Sequence, residues 1–186
     1  VKEESPGFHY PASRERVRDA AGGHDAFDRF VVDSGRRPSK ELQVERTDQA
    51  PPSVASRLGT SAALVRRAVR AVDGRTVALE TSYYPGDLAS GTELEGPDDI
   101  AVGTIHVLAA NGHPQTGYRD EVAAHAASAD DAAALGVEAG TPAVRTLRTA
   151  WSHRRVLRVT DTVTPVGSGM VLCFETGAPA PEATGE

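Results

Sequence analysis

Alternating apolar and polar positions mark two hairpins in this chain. Leu64 to Val72 alternates, Asp73-Gly74 follows, and Arg75 to Tyr84 alternates again before Pro85 closes the run. An Asp-Gly pair accepts the positive φ angles that a tight hairpin turn requires. The second hairpin runs from Ala143 to Trp151, turns through Ser152-His153-Arg154 and returns through Arg155 to Thr164, closing at Pro165. Single strands are expected at Glu41 to Thr47, Tyr118 to His125 and Met170 to Glu175. The predicted helices are short. Pro51 to Leu58 stops at Gly59, and Ala129 to Leu135 stops at Gly136. Ser128 suits the N-cap of the latter, with Asp130 and Asp131 at the positive end of its dipole. Val102 to Ala110, ending in Asn111-Gly112, predicts a third helix.

Two stretches share one order: a short helix ending in Leu-Gly, a few turn residues, a hairpin, a proline. The first hairpin reads RAVRAVDGRTVALETSYYP from Arg67 and the second RTLRTAWSHRRVLRVTDTVTP from Arg145, two residues longer at its turn. This is an internal pseudo-repeat. A duplicated helix-hairpin unit predicts an α+β fold with a single, mostly antiparallel sheet and short helices on one side. The cleft between the halves is then a natural ligand site.

Outside the repeat the chain is more polar. Residues 1–36 read as a polar linker, whose weakly amphipathic stretch from Ser13 to Phe30 could hold at most a short helix. The Ala-Pro-rich end, 177–186, reads as a disordered tail, which leaves 37–176 as the folded body.

Apolar residues make up 39% of the chain but aromatics only 5%, so the core must be built from Val, Leu and Ala. The net charge of −6 gives no attraction to nucleic acid or to an anionic membrane, although a local basic pocket can still take an anion. Cys173 is the single cysteine, which excludes an intrachain disulfide and a cysteine zinc site; beside Leu172 and Phe174 it reads as a small core residue. No apolar run approaches the ~18 residues of a membrane span and no signal peptide opens the sequence, so it reads as cytoplasmic. The six histidines show no i,i+4 or His-x-His spacing, so no metal site is expected, and no cofactor is implied. Ser53, Ser56 and Ser128 lie at helix starts without a nucleophile elbow, which leaves a serine hydrolase unsupported.

The run from Pro51 to Gly59, the Arg-rich strand, the Asp73-Gly74 turn and Leu79-Glu80-Thr81-Ser82-Tyr83-Tyr84-Pro85 together resemble the UTRA domain. This is the effector-binding domain of the HutC subfamily of GntR-type transcription regulators. The stretch from Tyr118 to Val137, followed by Gly140 to Thr149, resembles its second half, so the resemblance covers about residues 38–175. It implies a chorismate-lyase-like fold, an effector pocket between two pseudo-symmetric halves, and a homodimer. In the family a winged helix-turn-helix head precedes this domain and contacts operator DNA. The 36 residues before the body are too few for that head and carry no recognition-helix pattern, so the chain is expected to be the sensing domain without it.

The resemblance places Arg70 and Glu80 where the family's effector-contacting Arg and Glu lie. An arginine offers a planar fork to a carboxylate or phosphate, and a glutamate accepts from hydroxyl or amine groups. The bland alternative is a cross-strand ion pair on a solvated face. Register decides between them: a two-residue turn at Asp73-Gly74 puts Glu80 opposite Arg67, whereas a bulged turn puts it on the face of Arg66 and Arg70. Glu121 faces the pocket or pairs with Arg119. Arg148 holds the repeat position of Arg70, and His106 lies on the short helix that helps to bind the effector in the family. Tyr83 and Tyr84 point to opposite faces; Tyr84 is the candidate for the cleft. Asp161 alternates with Leu157, Val159 and Val163, so it is either a pocket residue or salt-bridged to an arginine.

One departure stands out. The family often carries Glu in a Pro-Val-Glu phrase after the second turn, and here the phrase is Val156-Leu157-Arg158. A base in place of an acid changes what a pocket can hold, so the family's usual sugar-phosphate or amino-acid effectors cannot be assumed. Arg70 and Arg148 would approach the cleft from opposite halves, with Glu80 and Glu121 as acceptors nearby, and two guanidinium groups facing one cavity favour an anionic small-molecule effector. The alternative functions are an enzyme of the chorismate-lyase fold acting on a small carboxylate, and a ligand-free dimerisation domain.

Overall fold

The two hairpins meet edge to edge in the middle of one six-stranded sheet. The computed structural model describes residues 7–12 and 25–174. The chain begins with β1 (Phe8–Pro11), α1 (Ala26–Asp33), β2 (Pro38–Thr47) and α2 (Pro52–Leu58). Then come the first hairpin, β3 (Ala63–Val72) and β4 (Arg75–Pro85), and the short helices α3 (Gly86–Ala89) and α4 (Thr104–Ala110). β5 (Gly117–Ala126), α5 (Ala129–Leu135), the second hairpin of β6 (Pro142–Trp151) and β7 (Val156–Pro165), and finally β8 (Met170–Cys173) complete it. The sheet order is β2-β3-β4-β7-β6-β5 with every neighbouring pair antiparallel. That order reads the same from either edge: β2-α2-β3-β4 lies on one side of the β4–β7 seam and β5-α5-β6-β7 on the other. The repeat therefore includes the strand before each helix as well as the hairpin after it.

Both repeat helices stop on a glycine in the left-handed region, Gly59 at φ 75° and Gly136 at φ 68°, where a Cβ would be strained. Ser128 and Asp131 form a reciprocal capping box at the start of α5. α2 and α5 cover one face of the sheet. Val54 and Leu58 pack on Val159, and Leu135 packs with Leu79, Ala143 and Val163.

The opposite face is covered as well, by elements outside the repeat, so helices lie on both sides of the sheet. β1 and β8 form a parallel pair, and Phe8 and Tyr10 of β1 join Phe27 and Val31 of α1 over Val72, Val77 and Ala78. The Tyr10 and Phe27 rings meet edge-on with centroids 5.1 Å apart. Farther along, Leu64, Tyr84 and Leu157 lie with Leu88, Leu94, Ile100 and Leu108. Part of the expected linker is thus a layer of the domain: polar neighbours dilute its apolar positions, but the few present are buried. Residues 13–24 and the expected tail at 177–186 lie outside the described residues. Cys173 is half-buried on β8 with its Sγ 3.5 Å from His9 Nδ1, not in a core. No helix among the described residues is long and apolar enough to cross a membrane.

The β5 edge carries one tight contact. Gly117 pairs with Trp151, and a Cβ on Gly117 would come within 2.7–2.9 Å of the indole ring. A rigid ring cannot yield by a bond rotation alone. Gly117→Ala is expected to cost about 1–3 kcal/mol, seen as a lower urea midpoint. A midpoint equal to the parent's would show that the edge strand gives way freely.

Candidate functional site

A register shift decides which side chains meet. The Asp73-Gly74 turn is a two-residue turn with both φ angles positive, and it pairs Val72 with Arg75 and Ala71 with Thr76. Continued unchanged, this register would set Glu80 opposite Arg67. Instead Val77 is an extra residue, and beyond it Arg70 pairs with Ala78 and Ala68 with Glu80. Arg66, Arg70 and Glu80 consequently share one face of the sheet. β7 contributes Arg158, Thr160, Thr162 and Thr164 to that face, and β6 contributes Thr146 and Arg148.

Over these residues lies a cavity of about 390 Å³. Its floor is charged or hydroxylic and spans both halves of the repeat. Its roof is more apolar, with Phe27 and Phe30 of α1, Ile100, Ile105, Met170 and Phe174. Both polar contacts and an apolar enclosure are what a small-molecule site needs.

At one end of the cavity a buried ionic cluster ties α1 to the sheet. Arg70 Nε donates to Glu80 Oε2 at 3.2 Å, and Arg70 Nη1 donates to Asp25 at 3.1 Å and to Asp28 at 3.4 Å. Lys40 Nζ donates to Asp25 and Asp28, each at 2.8 Å, and lies 2.9 Å from Asp99. The Arg70 guanidinium also stacks over Phe27, 5.0 Å from the ring centroid. Asp25 is here because it is the N-cap of α1, accepting from Asp28 N. Burial alone would push the Asp25 carboxyl up, but Arg70 and Lys40 outweigh it and hold the group well below the usual carboxylate range. Glu80 is likewise lowered, burial being overcome by Arg70 and then Arg158. Lys40 is raised: burial and Arg70 oppose its charge, and its carboxylate partners prevail.

Five of the seven residues singled out from the sequence line the cavity: Arg70, Glu80, Tyr84, His106 and Arg148. Tyr84 is almost wholly buried and packs in the core as much as it faces the space. Tyr83 points to the other face, beside α2. Arg148 makes a two-point contact with Asp120, Nε to Oδ1 at 2.8 Å and Nη2 to Oδ2 at 3.1 Å. Glu121 and Asp161 stand elsewhere. Glu121 turns outward and accepts from Arg57 of α2 at 2.7 Å, because it is one residue out of phase with Asp120. Asp161 lies on the face covered by α2 and α5 and accepts from Arg145 Nε at 2.8 Å, the second of the two readings its position allowed.

The fold compares closely with solved structures. The sequence model of the UTRA domain matches residues 33–166. The chain belongs to the UTRA domain family. A protein assigned to the GntR family of transcriptional regulators superposes on this UTRA domain with a TM-score of 0.78 at 19% identity, over 96% of this chain and 73% of that one. The effector domain of PhnF from Mycobacterium smegmatis gives 0.70 at 19% identity, over 92% of this chain and all (100%) of the other. The C-terminal domain of the histidine utilization repressor from Pseudomonas syringae pv. tomato gives 0.63 at 18%, over 78% and 100%. No curated protein sequence matches the chain. At these identities the structural likeness establishes the chorismate-lyase-like α+β fold of the UTRA domain.

Several cavity residues escaped the sequence reading. Asp25 and Lys40 come from the segment before the sheet and from its first strand, and nothing local marks them. Arg66 donates to the carbonyls of Leu94, Gly96 and Asp98 and so fastens the loop after α3. The β7 row was visible in principle. Arg158, Thr160, Thr162 and Thr164 alternate with Val159, Asp161 and Val163 on a strand that lies mid-sheet, where a polar row must face either a cavity or a partner.

Proposed function

We propose that this UTRA domain binds a small organic effector in the cavity over β3, β4, β7 and β6, and acts as the sensing module of a cytoplasmic GntR-type, HutC-subfamily transcription regulator. The protein works as a homodimer, and operator DNA is contacted through a winged helix-turn-helix unit. The observation that carries this reading is the cavity itself: about 390 Å³, floored by buried charged and hydroxyl groups from both halves and roofed by apolar side chains. Arg70, Glu80, Tyr84, His106 and Arg148 are its proposed effector-side residues.

Binding fits the site better than turnover does. A carboxylic acid serves as a proton donor near neutral pH when its pKa is raised. Glu80, the acid best placed in the cavity, is shifted the other way by Arg70.

Native mass spectrometry tests both parts at once. The expected spectrum is a dimer with an added small-molecule mass that disappears on denaturation, and adding back the extracted molecule should raise the melting temperature. A monomer without adduct, unmoved by any fraction of a host metabolite extract, would count against the reading.

A further inference from the structure

Four of the cavity's five named cations are already matched. Arg70 and Lys40 share Asp25 and Asp28, Arg148 holds Asp120, and Arg66 is bonded to three carbonyl oxygens. Arg158 differs. It is 9% exposed, its Nη1 donates to Thr104 Oγ1 at 3.1 Å, and no carboxylate among the described residues forms a salt bridge with it. Its Nε is fully buried and has no hydrogen-bond partner. Glu80 feels the charge of Arg158 but spends its hydrogen bond on Arg70.

A buried, charged donor without an acceptor destabilises a fold, and proteins rarely leave one so. An acceptor that arrives with a ligand removes that penalty. We propose that Arg158 is the anion anchor of this cavity, and that the group it receives is a carboxylate. The inference rests on the effector-binding reading above and names the chemistry of the effector.

The choice of carboxylate follows from the donors. With Nη1 held by Thr104, the donors left are Nε and Nη2, two parallel N–H groups on one edge, and a carboxylate that takes both must part the atoms that enclose Nε. That edge matches the two oxygens of one planar carboxylate. A phosphate dianion would need a second unmatched cation, and Arg70, Lys40, Arg148 and Arg66 are already matched. Thr160 and Ser82, joined by a 2.8 Å hydroxyl–hydroxyl bond, lie in the same floor. The roof of Phe27, Ile100 and Ile105 leaves an apolar body beyond the anchored end. The ligand is therefore an amphipathic carboxylic acid.

The test uses probes small enough to reach the anchor whatever the rest of the effector is. In a titration of the whole chain with acetate, the ¹H–¹⁵N resonance of Arg158 Nε, assigned by its loss in Arg158→Lys, should move and saturate. Equal ionic strength of chloride should leave it in place. Arg158→Met should weaken acetate binding about ten- to a hundredfold while still unfolding cooperatively, since it loses one bond to Thr104. A resonance that acetate moves no more than chloride does overturns the proposal. Inorganic phosphate moving it as strongly as acetate overturns the carboxylate assignment. If acetate binds at Arg158 but no metabolite fraction is retained in native mass spectrometry, the anchor stands and the sensing role fails.

Discussion

Arg70→Met is expected to destabilise the domain by about 3–5 kcal/mol, the range for removing one partner of a buried charge group. Arg70 is the only described hydrogen-bond partner of Glu80, and it shares Asp25 and Asp28 with Lys40. Its loss leaves the Glu80 carboxylate buried without a donor and weakens the attachment of α1 to β2 and β3. Urea unfolding followed by circular dichroism reads the change as a lower midpoint. The double variant Arg70→Met/Glu80→Met separates this mechanism from lost packing. Replacing both partners by apolar groups should restore a large part of the stability, because no unpaired charge remains. A single variant within about 0.5 kcal/mol of the parent, the range of an ordinary surface substitution, would show that the cluster does not hold α1 down.

Acid should loosen the same cluster. Asp25 and Glu80 are both held below their unfolded values, so each contributes stability that is complete above the unfolded carboxylate pKa. That contribution is lost as pH falls from about 4 toward the lower folded values. Each unit of depression corresponds to about 1.4 kcal/mol. Lys40 carries the opposite sign. Its raised pKa contributes fully below about 10.4 and fades only as the pH climbs beyond that. The urea midpoint should therefore stay level through neutral pH, fall by several tenths of its value on going to pH ~3, and fall far less in Arg70→Met, where the depressing charge is gone. Raised salt should change the fall only a little, since buried pairs are screened much less than surface ones. A midpoint at pH ~3 equal to that at neutral pH would refute the cluster's part in stability.

What the sequence determined by itself was local. Hairpins at Asp73-Gly74 and Ser152-His153-Arg154, helix stops at Leu58-Gly59 and Leu135-Gly136, and the repeat that they frame depend on turn conformations and side-chain alternation within about ten residues. The UTRA resemblance rested on those same segments. It also brought Arg70, Glu80 and His106 into view, while the repeat pointed to Arg148 and strand alternation to Tyr84, and these five share the cavity. The rest depended on contacts between distant parts of the chain. Strands have a period of two, so a one-residue choice exchanges faces: Glu121 meets Arg57 while its neighbour Asp120 meets Arg148. The extra residue Val77 moves Glu80 from opposite Arg67 to the side of Arg70, and no local rule requires a bulge there. Asp161 found its arginine across the strand, on the face away from the cavity. β1 is too short to announce itself and α1 showed only as part of a weakly amphipathic stretch, and they are ordered by partners far along the chain, Met170 for Phe8 and Arg70 for Asp25. The sequence could show that Arg158 was unusual. Only the folded molecule shows that its neighbours leave it a donor to spare, because satisfaction of a buried charge is decided by every group that packs around it.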